Sequence, residues 1–259
     1  MTVTMPPREG RVNTMRAASV PWLLLEYFRM RFLILSTLMF SLTTSVLAEP
    51  PLGEVKSLFD GETLEGWRGR SDLWAVVDNA IVGTTTAENP LKQNTFLIYD
   101  GELPSNFELK AKFMILGGNS GIQYRSRVID EKNFVVSGYQ ADIDDALKFA
   151  GINYEEKGRG ILALRGERTT ISEDGTKKKE AFGDAAKIGE VIRAGEWNDY
   201  RVVADGNRLQ HYINDELTCE VIDGEPAKAA TNGVIALQLH QGPAMVVKYK
   251  ELQIRPIAR

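Results

Sequence analysis

The sequence predicts an all-β fold, a two-sheet β-sandwich of jelly-roll type. Three observations predict it. Short runs rich in β-branched, aromatic and aliphatic residues recur at 74–77, 80–82, 95–99, 107–115, 121–127, 134–142, 160–164, 199–204, 208–213, 217–221, 233–240 and 246–254. Turn-forming residues stand between them: Asp78-Asn79, Asp205-Gly206-Asn207 and Asn214-Asp215 each read as a hairpin turn. Helical stretches are scarce, with 144–149 and Ala185–Gly189 as short candidates. The expected helix content is under about a fifth, well below the globular average.

In chain order, the first element is a targeting segment. Arg29 and Arg31 flank Met30, an apolar run covers 32–40 and continues more weakly to Leu47, and Val46-Leu47-Ala48 offers small residues for cleavage. This is the order of a secretory signal. The run is short for a spanning helix, which needs about 20 apolar residues. The expected division is an N-terminal extension and signal peptide over 1–48, a Pro-containing spacer over 49–55, and one β-sandwich domain over 56–259. Residues 1–29 stand ahead of an ordinary signal, which fits Met30 as the initiator; an uncleaved anchor is the alternative. The expected location is periplasmic or secreted, with no stable membrane insertion after cleavage.

The rest of the chain has ordinary globular composition, 43% hydrophobic with a formal net charge of -4. Its mild acidity gives no reason to expect a nucleic acid partner. Lys177-Lys178-Lys179 reads as a solvated hairpin tip. Cys219 is the single cysteine, so no intramolecular disulfide can form, and its strand-like setting suits a small buried residue. The segment from Ile143 to Lys187 has charge, Gly and little periodicity, and reads as a long functional loop.

Two of the strands carry an unusual polar pattern. Side chains on a strand alternate between faces. Asn119, Gln123 and Arg125 therefore share one face, as do Gln140, Asp142 and Asp144. Ile122 and Tyr124, with Tyr139, Ala141 and Ile143, point the other way, toward a core. Gln238 and His240 repeat the polar parity on a later strand. Planar amides, guanidinium and carboxylates suit sugar hydroxyls, so this face is the expected binding site.

Several runs, in order, resemble the 3-keto-disaccharide hydrolase family. They are 58–67 (LFDGETLEGW), 74–83 (WAVVDNAIVG), Asn94-Thr95-Phe96-Leu97, 117–125 (GGNSGIQYR), 138–142 (GYQAD), Trp197-Asn198-Asp199-Tyr200, 211–214 (HYIN) and 233–240 (GVIALQLH). The resemblance covers nearly all of the chain after the leader. It implies a secreted protein of concanavalin A-like lectin/glucanase fold that acts on oxidised, 3-keto mono- or disaccharide glycosides.

The residues fit that chemistry. An ordinary glycosidase needs two carboxylates across the scissile bond. Where laminarinase-like members of this fold carry Glu-x-Asp-x-x-Glu, this chain reads Gln140-Ala141-Asp142-Ile143-Asp144-Asp145, and Gln140 cannot be a nucleophile. A C3 ketone instead acidifies the C2 proton, so a base can remove it and the C1 substituent can leave by elimination, with hydration giving net hydrolysis. His240 is the favoured base and His211 the reserve; Arg125 would hold the enolate, Glu155 would protonate the leaving group, and Asp142 would orient a His or bind hydroxyls. Asn119, Gln123, Gln140, Arg159, Gln238 and Trp197 complete the expected substrate contacts. Packing competes as a role for Trp197, a packed or solvated sheet position for His211, a surface position at a strand end for His240, and a solvated turn for Glu155. The sequence specifies no cofactor, and a divalent metal is the one it leaves open. A divalent ion would also stabilise the enolate, but no His-x-His spacing exists, so its ligands would have to converge through the fold from His211, His240 and Asp142. The rival function is a non-catalytic carbohydrate-binding module, which should show a row of outward aromatics. A plain polysaccharide hydrolase or lyase of the same fold is a further reading, and Gln140 counts against the hydrolase.

Overall fold

Two-residue turns set the first level of the fold. Asp78 and Asn79 have φ of 52° and 59°, and Asn214 and Asp215 have φ of 50° and 67°. This left-handed pair makes a turn whose twist matches the strands it joins. Gly206, with φ of 57°, serves the turn between them.

The structure, a computed structural model, describes residues 52–258. The expected leader, 1–48, and the start of the spacer lie outside the described residues. In chain order the strands are β1 (Lys56–Ser57), β2 (Trp67–Arg68), β3 (Trp74–Val77), β4 (Ala80–Thr85), β5 (Thr95–Tyr99) and β6 (Phe107–Leu116). Two long strands follow, β7 (Asn119–Asp130) and β8 (Val135–Asp144), then β9 (Asn153–Glu156), β10 (Gly160–Ala163), β11 (Glu167–Ile171) and β12 (Lys177–Ala181). One short helix, α1 (Ala185–Gly189), precedes β13 (Asn198–Asp205), β14 (Arg208–Ile213), β15 (Glu216–Asp223), β16 (Val234–Leu239) and β17 (Met245–Pro256). The described residues are 54% strand and 2% helix, which makes the fold all-β as expected.

The strands form two sheets. The larger runs β12-β11-β15-β14-β13-β6-β17-β4-β3, with β1 added to β17; the smaller runs β10-β9-β8-β7-β16-β5-β2. Neighbours such as β6 and β17, or β7 and β16, are far apart in sequence, as a jelly-roll sandwich requires. The core lies between the sheets. Ile122, Tyr124, Tyr139, Ile143 and Leu237 of the smaller sheet meet Leu109, Phe113, Tyr200, Val202, Val247 and Tyr249 of the larger. Cys219 is in this core, and burial pushes its thiol well up. On the outer face of the smaller sheet, Phe96, Ile98, Val136 and Ala236 form a small apolar cluster. The turn between β7 and β8 caps it: Phe96 N–H donates to Phe134 O (2.9 Å) and Thr95 Oγ1 to Asn133 O (3.0 Å).

Three expectations are corrected. The segment read as a long loop contains β9 to β12, which extend both sheets. Only β10 was expected, from the run at 160–164; β9, β11 and β12 are short and mostly polar, and pairing at a sheet edge holds them as strands. The three lysines at 177–179 lie on β12, an exposed edge strand, where Lys discourages further pairing. Residues 144–149 form a turn instead of a helix, because Leu147 has φ of 58° and the Asp144 carboxylate takes the N–H groups of Lys148 (2.9 Å) and Phe149 (3.0 Å). The second helix candidate forms over the expected residues, capped by Asp184.

Candidate active site

The polar parity of β7, β8 and β16 meets on the outer face of the smaller sheet. Gln123 and Gln140 are cross-strand partners, and Gln123 Nε2 donates to Gln140 Oε1 at 2.7 Å. Gln140 Nε2 in turn donates to Asp142 Oδ1 and reaches Gln238 Oε1 at 3.5 Å. Asn119 Nδ2 lies 3.4 Å from Asp142 Oδ2. Gly121 makes room for this chain of amides: a Cβ there would sit 2.5 Å from Gln140 Cγ.

A pocket of about 500 Å³ opens over the row. Asn119, Gln140, Asp142, Gln238 and His240 line it on and beside β7, β8 and β16; Phe149, Ile152, Tyr154, Glu156, Lys157 and Ile161 line it on and around β9 and β10. Gln238 is fully buried as a residue, and its Nε2 has no partner. A buried donor without a partner costs free energy. Asp142 is only 6% exposed, and burial raises its pKa to about 7, against the pull of its bonds to Gln140 and Asn119.

Glu156 also lines the pocket, and burial raises its pKa too. Its carboxylate accepts from Asn94 Nδ2 (3.2 Å), while Asn94 Oδ1 accepts from Gln241 N–H (2.9 Å), so Asn94 ties Glu156 to the segment carrying His240. Lys157 is the one Lys or Arg among the lining residues. Asn94, Tyr154, Glu156 and Lys157 were not anticipated.

Five of the expected site residues lie elsewhere. Arg125 shares sequence parity with Gln123, but a bulge between Tyr124 and Arg127, with φ of 47° at Arg125, turns it away. Its guanidinium donates to Ser105 O (2.6 Å), Gly206 O (2.6 Å) and Ala204 O (3.2 Å), stitching loops of the larger sheet together. His211 is in the core, fully buried, with its ring nitrogens against Tyr124 Oη (2.9 Å) and Ile152 O (3.1 Å). Burial lowers its pKa to about 3, so it is neutral at ordinary pH. Leu209 and Ile213 share its parity, a signal in the sequence that this face of β14 points inward.

Glu155 is one residue out of phase. It pairs across from the inward-facing Tyr139, whereas Tyr154 pairs with Gln140 on the site face. Glu155 instead binds Arg159 (2.6 Å), which also binds Asp223 (2.5 Å) and Glu225 (3.0 Å). This ion cluster lies beside a separate cleft of about 550 Å³, across the Lys157-Gly158 turn. Trp197 lies under Lys250, whose Nζ is 4.2 Å from the ring centroid, on the outer face of the larger sheet. Among the described residues, no three His, Cys, Asp or Glu side chains converge as a metal site.

The sequence matches the 3-keto-alpha-glucoside-1,2-lyase-like domain over residues 54–255. The chain belongs to that family. The match spans both sheets and every residue of the outer pocket, so the family domain and the sandwich are the same unit. Among solved structures, a candidate glycosyl hydrolase from Parabacteroides distasonis ATCC 8503 superposes with a TM-score of 0.52 at 20% identity, covering 79% of this chain and 94% of that one. A Bacillus subtilis protein of unknown function with a galectin-like fold gives a TM-score of 0.52 at 10% identity, covering 82% of this chain and 99% of that one. These similarities establish the shared sandwich fold. No curated protein matches the chain significantly.

Proposed function

We propose that this family member cleaves 3-keto-glycosides by elimination across C1 and C2, followed by hydration. The observation that carries the reading is the content of one pocket. An acid held near neutrality, an imidazole and an ammonium group stand beside amides, one of which has an unpartnered donor. The family description names a 1,2-lyase-like activity on a 3-keto glucoside, and these groups match its needs.

His240 takes the C2 proton, and the C2–H electrons form an enolate with the C3 oxygen. Lys157 stabilises that oxygen, the part first expected of Arg125. The enolate electrons then form a C1–C2 double bond and expel the C1 oxygen, which takes a proton from Asp142. Asp142 suits this better than the expected Glu155, because a pKa of about 7 leaves much of it protonated at neutral pH. Glu156 and Asn94 position His240. Gln238, Gln140 and Asn119 bind sugar hydroxyls. Water adds across the double bond to return a 3-keto sugar.

The deciding experiment offers the protein a 3-keto glucoside and its unoxidised parent in deuterated water. The expected result is cleavage of the ketone alone, with deuterium entering C2. Equal cleavage of both would overturn elimination; binding without cleavage of either would identify a carbohydrate-binding module. His240→Ala should lose C2 exchange and roughly 10²–10⁴-fold in rate, the usual cost of removing a general base.

A further inference from the structure

The pocket has two chemically different halves, and the register of the strands explains why. Gln123 pairs with Gln140, Gln140 with Tyr154, and Tyr154 with Ile161, in one row across the smaller sheet. Amides occupy its middle. Toward the free edge at β10 they give way to Tyr154 and Ile161, with Phe149 and Ile152 at the start of β9 and the charged Glu156 and Lys157 at its other end. Ile161 is 37% exposed, which leaves an apolar side chain open in the wall of the pocket.

Asp142 stands where the halves meet. Its backbone N–H faces Ile152 O at 3.3 Å, and its C=O accepts from Gly151 N–H at 3.0 Å. Its carboxylate bonds Gln140 and Asn119, while its neighbour across the ladder is Ile152, so a group that leaves by taking the Asp142 proton has Ile152 beside it. A second sugar there would have to give up water from several hydroxyls against side chains that offer few partners, which is costly. An apolar ring would gain by burial instead.

We propose that the apolar half is the leaving-group subsite and that it selects an apolar ring, an aryl or benzyl alcohol, over a second sugar. This rests on the elimination reading above. The test compares a benzyl and a glucosyl 3-keto-glucoside of one anomeric configuration, since benzyl alcohol and a sugar hydroxyl are comparable leaving groups. The benzyl substrate should have the higher kcat/KM by about ten-fold or more, the discrimination an apolar pocket can supply. Ile161→Asn and Tyr154→Ala should each move the ratio toward one. Equal rates, preference for the disaccharide, or a ratio unmoved in both variants would overturn the subsite. If neither 3-keto substrate is cleaved, the elimination reading fails, and calorimetric binding of benzyl and methyl glucosides decides the subsite on its own. Tighter benzyl binding that Ile161→Asn abolishes would support it; equal binding would overturn it.

Discussion

Asp142 is the residue whose environment departs furthest from what its type prefers. Burial raises its pKa from 3.8 to about 7, so the folded state holds a proton that the unfolded chain has released at neutral pH. The sign follows from linkage: its stabilising effect is full below the unfolded pKa near 4 and is lost as pH rises toward 7. Asp142→Asn keeps the acceptor for Gln140 and removes the ionisation. The variant should gain on wild type by a few kcal/mol at pH 8, and the gain should vanish near pH 4. Comparing the two proteins cancels other titrations, including that of His211, which acts in the opposite direction. Thermal unfolding across that pH range checks it; a difference independent of pH would show that Asp142 is ionised in the fold. The same variant separates its catalytic role. Its kcat should fall sharply with a poor leaving group such as a sugar and little with a nitrophenyl group, which needs no acid. Equal losses with both would remove Asp142 as the acid.

At the scale of the element, the bulge in β7 decides how the site is built. One inserted position returns Arg125 from the site face to the interior, and Arg127 pairs with Ser137 beyond it. Arg125 then holds backbone carbonyls from loops near Ser105, Ala204 and Gly206. Lys cannot reproduce that fork of donors. Arg125→Lys should cost roughly 2–4 kcal/mol in urea unfolding, from lost charge-assisted hydrogen bonds in a buried setting. It should leave kcat/KM of the folded protein unchanged; a selective loss of activity would return Arg125 to catalysis. Such elements also mark the limit of what alternation reveals. On β8 and β16 strict alternation made the site face legible, since Gln140, Asp142 and Gln238 stand opposite large apolar residues. The bulge left no trace in residue type. On β9 the run Asn153-Tyr154-Glu155-Glu156 has too little apolar character to show a phase, so Glu155 was read in place of Glu156. The phase comes only from pairing with β8.

At the scale of the molecule, the sandwich class was legible because long antiparallel strands with tight turns declare themselves. Strand β10 was legible as well, but β9, β11 and β12 were not, since edge pairing supplies what propensity lacks. The described chain joins the larger sheet almost at once. Leu52 bridges to Ile257, Gly53 N–H donates to Pro256 O at 2.7 Å, and β1 pairs with β17. These contacts begin a few residues after Ala48, the expected cleavage site. Every described strand and every residue lining the pocket lies after the expected cleavage site. We therefore expect export with cleavage after Ala48, and a chain starting at Glu49 with unchanged activity and a strand-dominated circular dichroism spectrum. Mass spectrometry of the protein recovered from its native host should show Glu49 at the N-terminus. A chain that keeps residues 1–48 in the cytosol would overturn the leader, and a truncated chain that fails to fold would show that the sandwich depends on it.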